Sequence, residues 1–444
     1  MKTRLFKICV ILIAFIIMHQ FNSCKPALMG VDTQEDTSPI DPSTWTAVDG
    51  TGSTGINKDS TKSAIIASLK VFNSKLYATW AETNGAKNQI RVAVFNNSDT
   101  SPAWSFVDGN GPNGINVNTG ETATTSKLEV VNSKLYIIFN ETNAGVTQIR
   151  VKVYNGNDSS AAWSSIDGGG VTGINKDTTK GGANSNLIAF NNKLYTTWQE
   201  DTATVTQIRV KVYNDDGSTW SFVDGNGVNG LNKDTSTGAL RPNFCVFNSK
   251  LYLAWHEGAS QVHMRVYNGN DASPAWTLID GGTSINKDSA SNANDLQPVD
   301  FNSKLYGIWS EYSNGVSQIR AAEYNGNDDA PDWSFVDGYG TNGINFDTTK
   351  NATLPRVAVF RSHLYAIWKE VGSNAKFQTR VAMFAGASTS PPWTIVDGNG
   401  ALGLNIDTSQ SVNSPFLVGF NSKLFAIWVE GSAAPFQVRV KAAR

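Results

Sequence analysis

One phrase recurs seven times and constrains most of what this chain can fold into. Trp-x-x-(Val/Ile)-Asp-Gly begins at Trp45, Trp104, Trp163, Trp220, Trp276, Trp333 and Trp393, at spacings of 59, 59, 57, 56, 57 and 60 residues. A fixed period of this size signals a repeat array, whose units bury their faces against one another. The order within a unit is constant. In the second copy, Trp104 to Asp108 alternates and then meets a loop rich in Gly and Asn, 109–118. A short apolar segment, 127–131, leads through the turn Asn132-Ser133-Lys134 to alternating segments at 135–141 and 148–154. Period-two alternation bounded by turn residues gives four strands per unit, and no segment carries a helical period.

Four antiparallel strands repeated seven times predict an all-β fold, a seven-bladed β-propeller. The Leu, Tyr and Trp of the recurring Leu-Tyr-x-x-Trp strand are the side chains that stacking would bury. The chain opens with an outer strand at Trp45 that has no blade of its own, and it stops after Gln437 to Lys441. Pairing Trp45–Asp49 with Gln437–Lys441 completes the seventh blade and removes the open edges. The segment Asp215-Asp216-Gly217-Ser218-Thr219-Trp220 resembles the Asp-box of sialidase-type propellers, Ser-x-Asp-x-Gly-x-Thr-Trp. The resemblance implies a carboxylate that accepts backbone N–H bonds and fixes the hairpin before the outer strand. It bears on the fold, not on sialidase chemistry.

The first 43 residues read differently. Lys2, Arg4 and Lys7 precede the apolar run Ile8 to Met18, which has the form of a signal peptide, residues 1–23. Phe21-Asn22-Ser23-Cys24 resembles the bacterial lipobox, and the resemblance implies lipidation at Cys24. Residues 24–43 turn polar and read as the lipidated Cys and a flexible tether, with the propeller at 44–444. The protein is thus expected to be exported and held, as a bacterial lipoprotein, at the outer membrane or cell surface.

Composition narrows the chemistry. Lys and Arg number 36 and Asp and Glu 38, so the net charge of −2 argues against a nucleic-acid partner. Cys9, Cys24 and Cys245 cannot build a disulfide framework, and four His leave little room for a metal centre, so no metal or cofactor is expected. The loop Asp108-Gly-Asn110-Gly-Pro-Asn113 lacks the spacing and late Glu of a calcium loop.

The candidate ligand residues repeat with the units. Six units carry Trp-x-Glu at the end of the second strand: Trp80/Glu82, Trp198/Glu200, Trp255/Glu257, Trp309/Glu311, Trp368/Glu370 and Trp428/Glu430, with Phe139/Glu141 in the other. An Arg opens each third strand: Arg91, Arg150, Arg209, Arg265, Arg320, Arg380 and Arg439. Indole faces stack on sugar C–H surfaces, while Glu and Arg pair with hydroxyls. The sets resemble those of bacterial and fungal propeller lectins that bind fucose or related sugars. That resemblance implies a non-catalytic, surface-anchored module with multivalent inter-blade sugar sites, its partner a glycan or a surface protein. A second reading keeps the same residues as scaffold: Trp packs between blades, Glu pairs with Arg, and the protein serves interaction or adhesion. Catalysis needs one asymmetric constellation, and arginines spread one per unit argue against a sialidase-like enzyme.

Overall fold

The computed structural model describes residues 37–444 apart from 51–53, 110, 226, 259, 339–341, 388, 389 and 399. The signal peptide, Cys24 and all but the last part of the tether lie outside the described residues. The rest forms seven four-stranded antiparallel sheets. Blade 1 runs Ala64–Phe72, Lys75–Thr83, Asn88–Phe95 and Trp104–Phe106, from the axis outward. Blades 2 to 6 repeat it, with inner strands Ala123–Val131, Gly182–Phe190, Ala239–Phe247, Ala293–Phe301 and Ala352–Phe360. Blade 7 combines Val412–Phe420, Lys423–Glu430 and Gln437–Ala443 with Thr46–Ala47 from the other end of the chain. The predicted closure is therefore present: Thr46 pairs with Ala442 and Ala47 with Lys441. The ring contacts begin slightly upstream of the expected boundary. Ile40 is buried, its N–H bonds the Tyr365 hydroxyl, and Asp41 N–H bonds the Arg444 carbonyl.

Each seam between blades holds one hydrophobic core, because a single sheet cannot cover both of its own faces. The core joining blades 7 and 1 contains Phe425, Ile427 and Val440 on one side and Leu69, Leu76 and Trp80 on the other. The repeated outer-strand Trp explains the phrase itself. Trp104 Nε1 donates to the Val48 carbonyl, Trp163 to Val107, Trp220 to Ile166, and so round to Trp45, which donates to Val396. Every blade is thus stitched to the preceding one by the motif that marks it.

The opposite rim corrects one detail of the Asp-box reading. In the resembling hexapeptide the turn is fixed by Asp216, which accepts Ser218 and Thr219 N–H, while Asp215 takes a positive φ of 57°. In blades 2, 4 and 5 an Asn one place earlier than the Asp fixes the turn: Asn157, Asn270 and Asn327. The freed aspartates reach the preceding blade. Asp158 bonds Tyr77, Lys75 and Tyr154, and Asp271 bonds Tyr195, Lys193 and Tyr267. The turn is fixed at one residue and the inter-blade staple is made at the next.

The inner strands share a further device. Each carries a β-bulge near its start, with register shifts from Ile65/Ser68 in blade 1 to Asn413/Phe416 in blade 7. At its centre stands a non-glycine residue with φ of 50–60°: Ile66, Thr125, Asn184, Arg241, Asp295, Leu354 and Ser414. Such a conformation costs on the order of 1–3 kcal/mol and is held only where the surroundings impose it. Bulges of this kind re-aim side chains. Here they turn seven short segments toward the axis.

Candidate functional site

The repeated Trp, Glu and Arg sets lie in the wall of the ring and offer no sugar platform. Trp80, Trp198, Trp255, Trp309, Trp368 and Trp428 are all 0% exposed, so no ring can stack on them. Each indole N–H donates to the Glu two residues on, as Trp198 Nε1 does to Glu200 Oε2 at 2.8 Å. The Glu carboxylate also caps the turn entering its own blade: Glu200 accepts Lys176 N–H and Asp177 N–H, and Glu82 accepts Lys58 and Asp59 N–H. Glu141, Glu257, Glu311, Glu370 and Glu430 repeat the arrangement. Burial holds the Glu370 and Glu141 carboxyls above the usual range, and the bonds from neighbouring donors oppose it.

The arginines face the Asp of the next Asp-Gly. Arg91 pairs with Asp108, Arg209 with Asp224, Arg320 with Asp337, Arg380 with Asp397, and Arg439 with Asp49 across the closure. They also bind loop carbonyls, as Arg209 does to Gly227 and Val228. Arg265 is the exception: it does not occupy the place expected of it. Trp255 stands opposite His263, where Trp198 stands opposite Arg209, and it is His263 Nδ1 that meets Asp280 Oδ2 at 2.7 Å. Blade 4 has His where the other blades have Arg, and the next Arg in the strand, Arg265, lies two residues on, opposite Leu253. Gln261-Val262-His263 matches Gln207-Ile208-Arg209, and the shared Gln was the available signal. The Asn of each loop is also structural: Asn175 accepts Ile149 N–H and donates to Thr147 and Lys180 carbonyls. Every residue present in all seven units thus closes a bond that the scaffold needs.

The asymmetric constellation lies on the axis. A cavity of about 240 Å³ opens there, lined by the bulged segments of all seven blades. Lys127 (blade 2), Arg241 (blade 4) and Arg356 (blade 6) reach it, with one carboxylate, Asp295 (blade 5). Three cations against one anion make it a basic site in a chain whose net charge is −2. Arg241 clasps both Asp295 oxygens, at 2.6 and 2.7 Å. Arg356 bonds the Pro355 carbonyl at 2.7 Å through one of its five N–H donors. Ser68, Ser126, Asn184, Asn243, Asn413 and Ser414 add hydroxyl and amide groups to the wall.

Enclosure sets the charge states. Lys127 keeps partial access to solvent, yet the surrounding ring pulls its ammonium down to about 7, with Arg356 adding repulsion and Asp295 opposing it. His256, behind Arg241 and Asp295, is held down to about 4 chiefly by burial, so it is neutral at pH 7 and its Nδ1 has no partner. Burial, then Asp295 and Arg241, also governs Lys369 and Arg356, both of which are lowered. Cys245 is buried, its thiol pushed up to about 12, which leaves it an inert core group. Among the described residues no group of His, Cys, Asp or Glu is placed to hold a metal ion.

Known protein families and curated proteins give no match to this sequence. Solved structures do. The polysaccharide lyase Uly1 superposes with a TM-score of 0.51 at 9% identity, over 85% of this chain and 89% of that one. Trypanosoma rangeli sialidase in complex with the inhibitor DANA gives 0.48 at 13% identity. The match covers 74% of this chain and 56% of the sialidase, so the chain spans little more than half its length. The α-L-arabinofuranosidase Arb93A from Fusarium graminearum gives 0.44 at 11%, over 72% and 93%. At these identities the likeness is one of fold. It corrects one expectation nonetheless. The even spread of the arginines argues against an enzyme, but a polysaccharide lyase has a similar fold, and an asymmetric cluster stands on the axis.

Proposed function

We propose that the chain recognises an acidic saccharide, one bearing a carboxylate such as a uronate, in the axial pocket. The observation that carries this reading is the convergence of Lys127, Arg241 and Arg356 from three blades on one cavity with a single carboxylate. Guanidinium groups pair with carboxylates in bidentate fashion, and the Ser and Asn wall suits hydroxyls. Enclosure strengthens each of these bonds relative to water. The polysaccharide lyase of similar fold acts on polysaccharide, the ligand class that this pocket suits. One site per chain replaces the seven equivalent sites expected from the repeats. The expected signal peptide and lipobox support a lipid anchor at Cys24 and placement at the membrane surface, which labelling with a palmitate analogue, lost in Cys24→Ser, would test.

The binding test is calorimetric titration with D-glucuronate. Arg356→Ala should weaken binding roughly tenfold to hundredfold, since a hydrogen bond to a charged group is worth about 1.5–3 kcal/mol. Unchanged affinity in a folded Arg356→Ala variant would reject the pocket.

A pH dependence follows from Lys127, which faces Arg356 and Asp295, with Arg241 and Lys369 beyond. Its ammonium is charged below about 7 and neutral above. A sugar carboxylate stays ionised throughout this range, so affinity should fall as pH rises from 6 to 8. Binding at pH 7–8 should take up protons, because a bound anion stabilises the ammonium. Lys127→Met should abolish the step; a step that survives in that variant assigns it to another group.

A further inference from the structure

A second cavity of about 240 Å³ lies in the seam where the ring closes, between blades 7 and 1. Its wall is more apolar than that of the axial pocket: Ile65, Ile66, Val412, Val429 and Phe436 line it, and Lys369 adds one cation. The sequence accounts for the apolar side of this wall. The residue between Trp and Glu in each second strand faces the next blade. In blade 2 it is Asn140, which bonds Ser185, and in blade 3 it is Gln199, which bonds Asn184 and the Arg241 N–H. In blade 6 it is Lys369, whose Nζ reaches Asn413 Oδ1 at 3.2 Å. In blade 7 the place falls to Val429, which makes no hydrogen bond across the seam but packs in the core joining blades 7 and 1 and lines the cavity.

The two cavities are neighbours. Ile66 and Asn413 line both. Ile66 is a β-branched residue held at a φ of 51°, a genuine outlier for that side chain. A cationic pocket thus lies beside a more apolar one, with Ile66 and Asn413 in the wall between them.

We propose that the seam cavity receives an apolar group attached to the acidic sugar, so that the ligand is a uronic acid conjugate with an aromatic or short acyl substituent. This rests on the axial pocket holding the carboxylate. A dry cavity of about 150 Å³ suffices for benzene, so this one admits a substituted ring. The geometry couples two chemistries in one molecule: charge at Arg356 and Lys127, apolar surface at Val412, Val429 and Phe436.

Calorimetry at pH 6 with three probes tests it. Phenyl β-D-glucuronide should bind at least about tenfold more tightly than D-glucuronate, the gain expected from burying an aromatic ring. Phenyl β-D-glucoside, which lacks the carboxylate, should bind weakly. Val429→Phe, or Val429→Leu if the larger change does not fold, should shrink the advantage of the phenyl conjugate. Equal affinity for the two glucuronates in the wild type would overturn the seam subsite and leave the axial pocket standing. Tight binding of phenyl β-D-glucoside, or no binding of either glucuronate, would overturn the axial reading and this one with it.

Discussion

Trp198→Ala and Glu200→Ala will each unfold the ring far more easily than they change any ligand. The indole of Trp198 is wholly buried between blades 2 and 3, and truncating a buried Trp costs about 3–5 kcal/mol. Glu200 accepts three donors at once: Trp198 Nε1, Lys176 N–H and Asp177 N–H. Removing it strands all three inside the protein, and breaking a buried charged network costs about 3–5 kcal/mol. Urea unfolding followed by circular dichroism reads both losses as a lower midpoint. A lectin site would give the reverse pattern, with the midpoint kept and sugar binding lost. That outcome would return the repeated sets to the role expected from sequence.

The second large effect concerns closure. A chain beginning at Val48 lacks Ile40, the Asp41 to Arg444 bond, the Trp45 to Val396 bond and the Thr46–Ala47 strand. Burial of one Ile is worth about 1.5–3 kcal/mol, and each hydrogen bond adds about 0.5–1.5. The loss is on the order of 5 kcal/mol by those figures, and it falls on the seam that joins the two ends of the chain. Gln437–Ala443 then becomes an exposed edge, which invites pairing with another copy. The shortened protein should melt at lower temperature and elute as dimers or larger species. A monomer of unchanged melting temperature would show that the latch carries no load.

Much of this architecture was legible because it is written seven times. The Trp-x-x-Val-Asp-Gly phrase marks a stitch between blades, and each seam needs one. The same repetition misled the search for a ligand site. Trp80, Glu82, Arg91 and their counterparts recur because each blade must cap the same turn and pair the same Asp. The axial residues sit where the copies disagree. Ile66-Ala67-Ser68, Thr125-Ser126-Lys127, Arg241-Pro242-Asn243 and Leu354-Pro355-Arg356 occupy equivalent bulges with unrelated side chains. Comparing the units position by position would have exposed Lys127, Arg241 and Arg356 as basic departures. The bulge itself was beyond reach. A positive φ at Ile66, Leu354 or Arg241 has no glycine to announce it, and tertiary packing imposes it. Arg265 stands in for His263 in the sequence reading because residue type, not register, marked the position, and in blade 4 the position holds His.

Stoichiometry tests the account most directly. Titrating D-glucuronate into the wild-type protein at pH 6 should give one ligand per chain, lost or greatly weakened in Arg356→Ala. Several equivalents per chain, retained in Arg356→Ala, would place recognition at the repeated seams and contradict the axial pocket.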